Sequence, residues 1–144
     1  MKARNLFTLL ILSLIFIIPR LSGAQEKSGH VYEMTFASIP YEQIEDFNKF
    51  YETYGKPLDE QNEYILSARV YTHTFGPSWS VLMVAEYKDL ESFAKARKRS
   101  DELFEKLVTD KSKIAEISTK FAGFLKGHMD ALVTEVPNLT TVKK

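Results

Sequence analysis

The sequence predicts an α+β fold in which helices pack on one face of an antiparallel sheet. Two observations lead to this prediction. The apolar stretch Trp79–Tyr87 is short and rich in Val, aromatic and aliphatic residues, which indicates a buried strand. A helix is expected a few residues later, because Asp89 fits an N-cap and Leu90 begins an apolar stripe, spaced by three and four, that reaches Leu107.

The chain before this junction predicts one strand and one helix. His30–Ile39 alternates between two sets of side chains, as a strand does. Pro40 suits the first turn of a helix, where its missing N–H costs nothing, and apolar residues then recur every three or four positions up to Gly55. Gly55 is the predicted end of this helix, and Lys56–Glu63 is expected to be a polar connector.

The rest of the chain predicts two further strands and one further helix. Tyr64–Phe75 predicts a second strand, and the turn residues at 76–78 pair it with the strand that follows as a hairpin. Asp110–Lys126 predicts a helix ended by Gly127. His128–Val136 predicts the fourth strand, with one further helical turn as the alternative.

The resulting order is strand, helix, strand, strand, helix, helix, strand. Right-handed crossovers place it in an antiparallel sheet of strand order 4-1-3-2, which is the ferredoxin-like plait. The predicted domain covers residues 30–137, between a flexible lead-in at 25–29 and a loose tail at 138–144.

The alternation of side chains predicts which residues face the helices. We expect Tyr32, Met34 and Phe36 of strand one, with Leu82 and Val84 of strand three, to do so. The other face of strand three would then carry Trp79, Val81, Met83, Ala85 and Tyr87. Leaving that surface in water costs roughly 25 cal/mol per Å², so a homodimer with two facing sheets is expected.

Residues 1–24 match a secretory signal peptide. Lys2 and Arg4 precede the apolar run Leu6–Ile18, and small residues at 22–24 fit a cleavage site after Ala24. A retained anchor is the alternative, although the run is shorter than the ~20 residues of a membrane span. The chain contains no Cys, which excludes disulfides and a lipid-bearing cysteine. The mature protein is therefore expected to be exported, to the periplasm or outside the cell, without stable membrane association.

The charge balance argues against nucleic-acid binding. Cleavage after Ala24 leaves 16 basic and 19 acidic residues, a net charge of −3. The densest basic run, Lys95–Arg99, is followed closely by Asp101, Glu102 and Glu105, as expected for a solvated helix face with mixed pairs.

The junction VLMVAEYKDLESFAKA at 81–96 resembles the corresponding segment of the dimeric α+β barrel superfamily, nearest to its antibiotic-biosynthesis monooxygenase-like and stress-responsive barrel proteins. In these families an apolar strand ends in an acidic and an aromatic residue, here Glu86 and Tyr87, before an acidic turn, here Asp89, and an alanine-containing helix. The resemblance implies a homodimeric barrel of two sheets. Arg97 stands where a His is common in the monooxygenase-like helix.

One group of side chains could carry acid–base chemistry. If the end of strand three lies near the start of strand four, Glu86 and Tyr87 share one end of the sheet with His128 and Asp130. Imidazole titrates near neutrality, and a carboxylate can orient it. The alternative is that the two carboxylates are edge charges and Tyr87 belongs to the core.

Ligand-binding candidates lie on strands two and three. Arg69 and His73 share a face and could hold a ligand at the barrel rim, or could simply be the exposed face of an edge strand. Trp79 could stack on a ligand or seal the dimer, and Met83 would face the barrel cavity. Because the three His residues lack HxH or HExxH spacing, neither a metal nor a cofactor is predicted.

These predictions give three candidate functions. The first is an exported homodimer that binds a small, mostly apolar molecule in its barrel cavity. The second is a cofactor-independent monooxygenase- or isomerase-like enzyme that uses His128 with Tyr87, Glu86 or Asp130. The third is a structural or partner-binding module that docks through the open sheet face.

Overall fold

The four predicted strands form one antiparallel sheet in the computed structural model, which describes residues 29–75 and 78–141. The strands are β1 (Val31–Ala37), β2 (Ile65–Thr72), β3 (Val81–Tyr87) and β4 (Met129–Thr134). Their order is β2-β3-β1-β4, which is the predicted order 4-1-3-2 taken from the opposite edge. The ferredoxin-like fold is therefore confirmed, and each strand is somewhat shorter than its predicted range. The predicted signal peptide and most of the predicted lead-in lie outside the described residues, as do Gly76, Pro77 and residues 142–144.

The first helical segment extends beyond its predicted end at Gly55. A 3-10 turn (Tyr41–Gln43) leads into α1 (Ile44–Phe50), a π-helical turn (Tyr51–Gly55) and α2 (Lys56–Gln61). The prediction of a polar connector at Lys56–Glu63 is thus wrong for most of its length. Gly55 keeps helical dihedral angles, φ −71° and ψ −57°, and the proline that follows falls in the first turn of α2, where a missing N–H is tolerated.

The two later helices begin as the sequence indicates. In α3 (Leu90–Leu107), the Asp89 carboxylate accepts a hydrogen bond of 2.7 Å from the backbone N–H of Ser92, which confirms the predicted N-cap. In α4 (Lys111–Phe124), Asp110 caps the helix in the same way. Residue Gly127 adopts φ +79° just after this helix, and residues 129–134 are strand, so the helical alternative for that segment is wrong. A 3-10 turn at Pro137–Leu139 follows β4.

The predicted assignment of the two sheet faces is wrong by one residue. Val31 and Ala37 of β1, with Val81 and Tyr87 of β3, are buried in the clusters beneath the helices. By strict alternation, Tyr32, Met34, Phe36, Leu82 and Val84 lie on the other face. Both faces of these strands are apolar, so alternation alone does not select the inner one. On β1 the set with the smaller apolar side chains, Val31 and Ala37, faces inward, because the helices themselves bring large aromatic rings.

Three phenylalanines form the centre of the core. The ring centroid of Phe124 on α4 lies 5.6 Å from those of both Phe47 and Phe50 on α1. Side chains from the sheet and from the ends of α3 and α4 pack around them. The buried members of this cluster are Ala37, Ile39, Phe47, Phe50, Val81, Val108, Ile117 and Phe124.

The sheet face opposite the helices is mostly apolar, and we call it the open face. Its members on the three strands β1, β3 and β4 are Tyr32, Met34, Phe36, Leu82, Val84, Glu86, Met129, Ala131 and Val133. Trp79 packs edge-on against Phe36 with ring centroids 5.7 Å apart, and His73 stacks on Trp79 at 4.6 Å. Among residues 29–75 and 78–141, no helix is long and apolar enough to cross a membrane.

Candidate functional site

A cleft of about 740 Å³ lies between the helices and the inner face of the sheet. Its walls are largely aromatic and aliphatic, and all four helices contribute to them along with β1, β2 and β3. The apolar wall residues include Phe50, Tyr54, Leu58, Met83, Phe104 and Phe121. Polar side chains lie at both ends of this cleft.

At one end, Glu33 is the centre of a polar cluster. It projects from the middle of β1, where its register partner on β3 is Ala85. The Tyr87 hydroxyl donates to Oε2 of Glu33 at 2.9 Å, and Nη1 of Arg97 donates to Oε1 at 2.8 Å. Burial, followed by the charge of Glu33, raises the pKa of the Tyr87 phenol, which stays protonated and able to donate.

A second carboxylate, Asp59, joins the same end of the cleft. The Tyr51 hydroxyl donates a short hydrogen bond to Oδ2 of Asp59. Two α-helical turns span about seven residues, so the wider π turn at Tyr51–Gly55 helps to bring these two residues, eight apart, onto one side. Burial raises the pKa of Asp59, and the nearby charge of Glu33 raises it further.

The opposite end of the cleft holds His128 and Asp130. The Thr35 hydroxyl donates to Oδ1 of Asp130 at 2.6 Å, and Nε2 of His128 lies 3.1 Å from Oδ2. Nδ1 of His128 contacts the Leu125 carbonyl oxygen at 2.5 Å. The structure thus brings together the predicted pair of His128 and Asp130, and both side chains line the cleft.

The other two predicted catalytic residues lie elsewhere. The strand β1 runs antiparallel to both β3 and β4, so these two strands are parallel and the end of one lies beside the end of the other. Glu86 and Tyr87 therefore occupy the end of the sheet away from His128, and the expected grouping of four residues is wrong. Glu86 is on the open face, whereas Tyr87 lies beneath the helices.

Tyr87 still lines the cleft, at its Glu33 end, whereas three of the four predicted ligand-binding residues lie outside it. Met83 lines it, as an inner-face residue of β3. Arg69 pairs with Val84 in register and so lies on the open-face side of β2. Trp79 and His73 stack on each other next to Phe36, again on the open-face side.

Sequence reasoning missed the acidic residues at the Glu33 end of the cleft. Glu33 was the available signal, because it is a charge within a strand between the buried residues Val31 and Ala37. Asp59 falls in the predicted connector, so its helical position beside Tyr51 was not visible. Arg97 falls in the basic run predicted to be a solvated helix face and departs from a family pattern. Among the described residues, no group of three His, Cys, Asp or Glu side chains is placed to hold a metal ion.

Glu86 is held on the open face by three side chains. Nδ1 of His30 lies 2.6 Å from its Oε1, the Ser67 hydroxyl donates to Oε2 at 2.6 Å, and the Tyr32 hydroxyl donates to Oε1 at 3.3 Å. The hydrogen bond from Ser67, followed by that from His30, lowers the pKa of Glu86 below its ordinary value of 4.5.

This shift makes stability depend on pH in a defined direction. Since the pKa of Glu86 is lower in the folded state, its stabilising contribution is complete above pH 4.5 and is lost as the pH falls through the folded-state pKa. We expect the Glu86→Gln variant to lose less stability than the wild-type protein as the pH falls below 4.5. Urea unfolding at fixed protein concentration and several pH values measures this. The exposed-carboxylate variant Glu105→Gln should follow the wild-type slope, and a Glu86→Gln slope equal to the wild type would contradict the assignment.

Comparison with known proteins shows the fold of the chain. No protein-family model matches it, and no curated protein does. Among solved structures, it is similar to a NIPSNAP domain protein from Burkholderia xenovorans at 19% identity and TM-score 0.55, covering 77% of this chain and 99% of that one. It is also similar to a dimeric ferredoxin-like protein from an uncultured marine organism, at 13% identity and TM-score 0.61, covering 83% of this chain and 96% of that one. A third similar structure is a dimeric ferredoxin-like protein of unknown function from Bacteroides fragilis, at 15% identity and TM-score 0.50, covering 74% of this chain and 97% of that one.

These likenesses, together with the sheet order, define the class of the protein. The chain has the ferredoxin-like fold, as the order of its predicted elements indicated. At such low identities the likeness extends to the fold and not to a reaction.

Proposed function

We propose that the mature protein is an exported homodimer that binds a small, mostly apolar molecule in the cleft of each subunit. The cleft carries the proposal. Its volume of about 740 Å³ and its aromatic walls, with a few convergent polar groups, match the usual features of small-molecule sites. This location differs from the barrel cavity expected from sequence, because that cavity would lie on the open face, whereas the cleft lies between the helices and the inner face of the sheet. Export rests on the signal-peptide pattern of residues 1–24.

The open face supports the homodimer. It presents Tyr32, Met34, Phe36, Leu82 and Val84 side by side, without a helix over them among the described residues. A second sheet would remove this apolar surface from water. Two of the structural neighbours with this fold are dimeric.

Blocking the cleft tests the proposed binding site. The probe is N-phenylnaphthylamine, an apolar dye whose fluorescence rises when it leaves water. We expect saturable binding of one dye per subunit, and Ala122→Trp should weaken it at least ~10-fold, about 1.4 kcal/mol, because Ala122 lines the cleft. Ala115→Trp is the matched control, since Ala115 is exposed on the same helix but outside the cleft lining.

Two results would overturn this assignment. The first is wild-type protein that gives no saturable fluorescence change. The second is an Ala122→Trp variant that is folded, as judged by circular dichroism, and binds the dye as tightly as Ala115→Trp does. Dye on the open face alone would produce this second result.

A further inference from the structure

We propose that the ligand carries a hydrogen-bond donor, an amine or hydroxyl group on an apolar body, and that Asp59 accepts this donor. The inference rests on the proposed function and names the ligand class of the same cleft. It follows from which oxygen atoms at the polar end are already engaged, from the balance of charge there, and from the surrounding rings.

Among the described residues, the hydrogen bonds at this end leave one oxygen of Asp59 without a partner. Both carboxylate oxygens of Glu33 are engaged, one by Tyr87 and the other by Arg97. Within the described part of the chain, only the Tyr51 hydroxyl donates to Asp59, and it does so to Oδ2. The other carboxylate oxygen, Oδ1, is therefore the acceptor that a ligand in the cleft can reach, since Asp59 is a lining residue.

The charges at this end favour a donor over an acid. The cleft lining contains Glu33, Asp59 and Asp101, with Asp130 at the opposite end. The single cationic side chain in that lining is Arg97, whose guanidinium is already paired with Glu33. A ligand carboxylate would face uncompensated negative charge, whereas an ammonium would be attracted. A neutral hydroxyl could also donate to Asp59.

The burial of Asp59 favours a ligand that brings a hydrogen-bond donor. Burial already disfavours its charged form, so a ligand N–H or O–H would replace solvation that the carboxylate has lost. The rings of Phe50 and Tyr54, with centroids 5.0 Å apart, line the cleft near Tyr51. Aromatic faces of this kind attract ammonium groups as well as apolar bodies.

A matched set of four naphthalene derivatives tests the inference. Naphthylmethylamine, naphthylmethanol, naphthoate and methylnaphthalene share one ring system and differ in the attached group. Their affinities are measured by displacement of N-phenylnaphthylamine. We expect the amine and the alcohol to bind at least ~10-fold more tightly than naphthoate, and more tightly than methylnaphthalene.

Variants assign the preference to one residue. Asp59→Leu removes both acceptor oxygens and should abolish the preference for the amine over methylnaphthalene, while Glu60→Gln, which removes an adjacent carboxylate outside the cleft lining, should preserve it. If Asp59→Leu does not fold, Tyr51→Phe provides the test. That change frees the second oxygen of Asp59, so it should keep or strengthen amine binding.

The outcomes separate this inference from the proposed function. Methylnaphthalene binding without any donor preference, naphthoate binding as tight as the amine, or an unchanged preference in Asp59→Leu overturns the donor inference alone. A preference lost in Tyr51→Phe does the same. If none of the four compounds binds, the proposed cleft function fails with it.

Discussion

Replacing Phe47 by alanine is expected to lower the free energy of unfolding by about 3–5 kcal/mol. Phe47 has no exposed surface, and its ring lies 5.6 Å from that of Phe124 and 6.1 Å from that of Tyr51. Truncation would leave a cavity at the point where α1, α4 and the sheet meet. The two neighbouring rings belong to different helical segments, the π turn and α4, so they cannot collapse together to fill it.

Denaturant unfolding at one protein concentration measures this loss. Tyr41→Ala is the control, because Tyr41 is 92% exposed and its removal should change stability by no more than about 0.5 kcal/mol. A Phe47→Ala variant with stability within about 1 kcal/mol of the wild type would show that the core does not centre on this ring.

Replacing Met34 by lysine is expected to dissociate the proposed homodimer. Met34 lies in the middle of the open face, with Val84 beside it on β3 and Ala131 beside it on β4. In a symmetric sheet-to-sheet interface the two introduced ammonium groups would be brought together in a mostly apolar setting. The dimer dissociation constant should rise at least ~100-fold, about 2.7 kcal/mol.

Sedimentation velocity over a range of protein concentrations measures the dissociation. The control is Leu132→Lys, which places the same charge at a partly exposed apolar residue of β4 on the opposite side of the sheet. It should leave the dimer intact. A wild-type protein that sediments as a monomer, or a Met34→Lys variant that stays dimeric, would contradict the proposed interface.

The fold could be predicted largely from signals that are local in sequence. The N-cap at Asp89 and the short junction from β3 into α3 fix two elements and their contact, and the handedness rule then gives the strand order. Gly55 shows the limit of such signals. A glycine with a proline two residues later is typical of a helix end, but both residues fit a helix that passes through a π turn.

The candidate site could not be predicted in the same way, because its composition depends on how several helices and strands pack together. Which face of β1 is inner is decided by the volume that Phe47 and Phe124 occupy, not by the alternation around Met34. Once that face is reversed, Glu33 enters the cleft and Glu86 leaves it. The grouping of His128 with Glu86 failed for a different reason, since it required the wrong relative direction of β3 and β4.

The glycine within the π turn has a consequence for the proposed binding site. A Cβ atom built on Gly55 would lie 2.5 Å from the Tyr51 ring. Because Gly55 has no side chain, the Tyr51 ring can occupy that space and its hydroxyl can reach Asp59. Any larger residue at position 55 would push the phenol aside and release its partner carboxylate, so the hydrogen-bonding capacity of the cleft depends on a residue that contributes no functional group of its own.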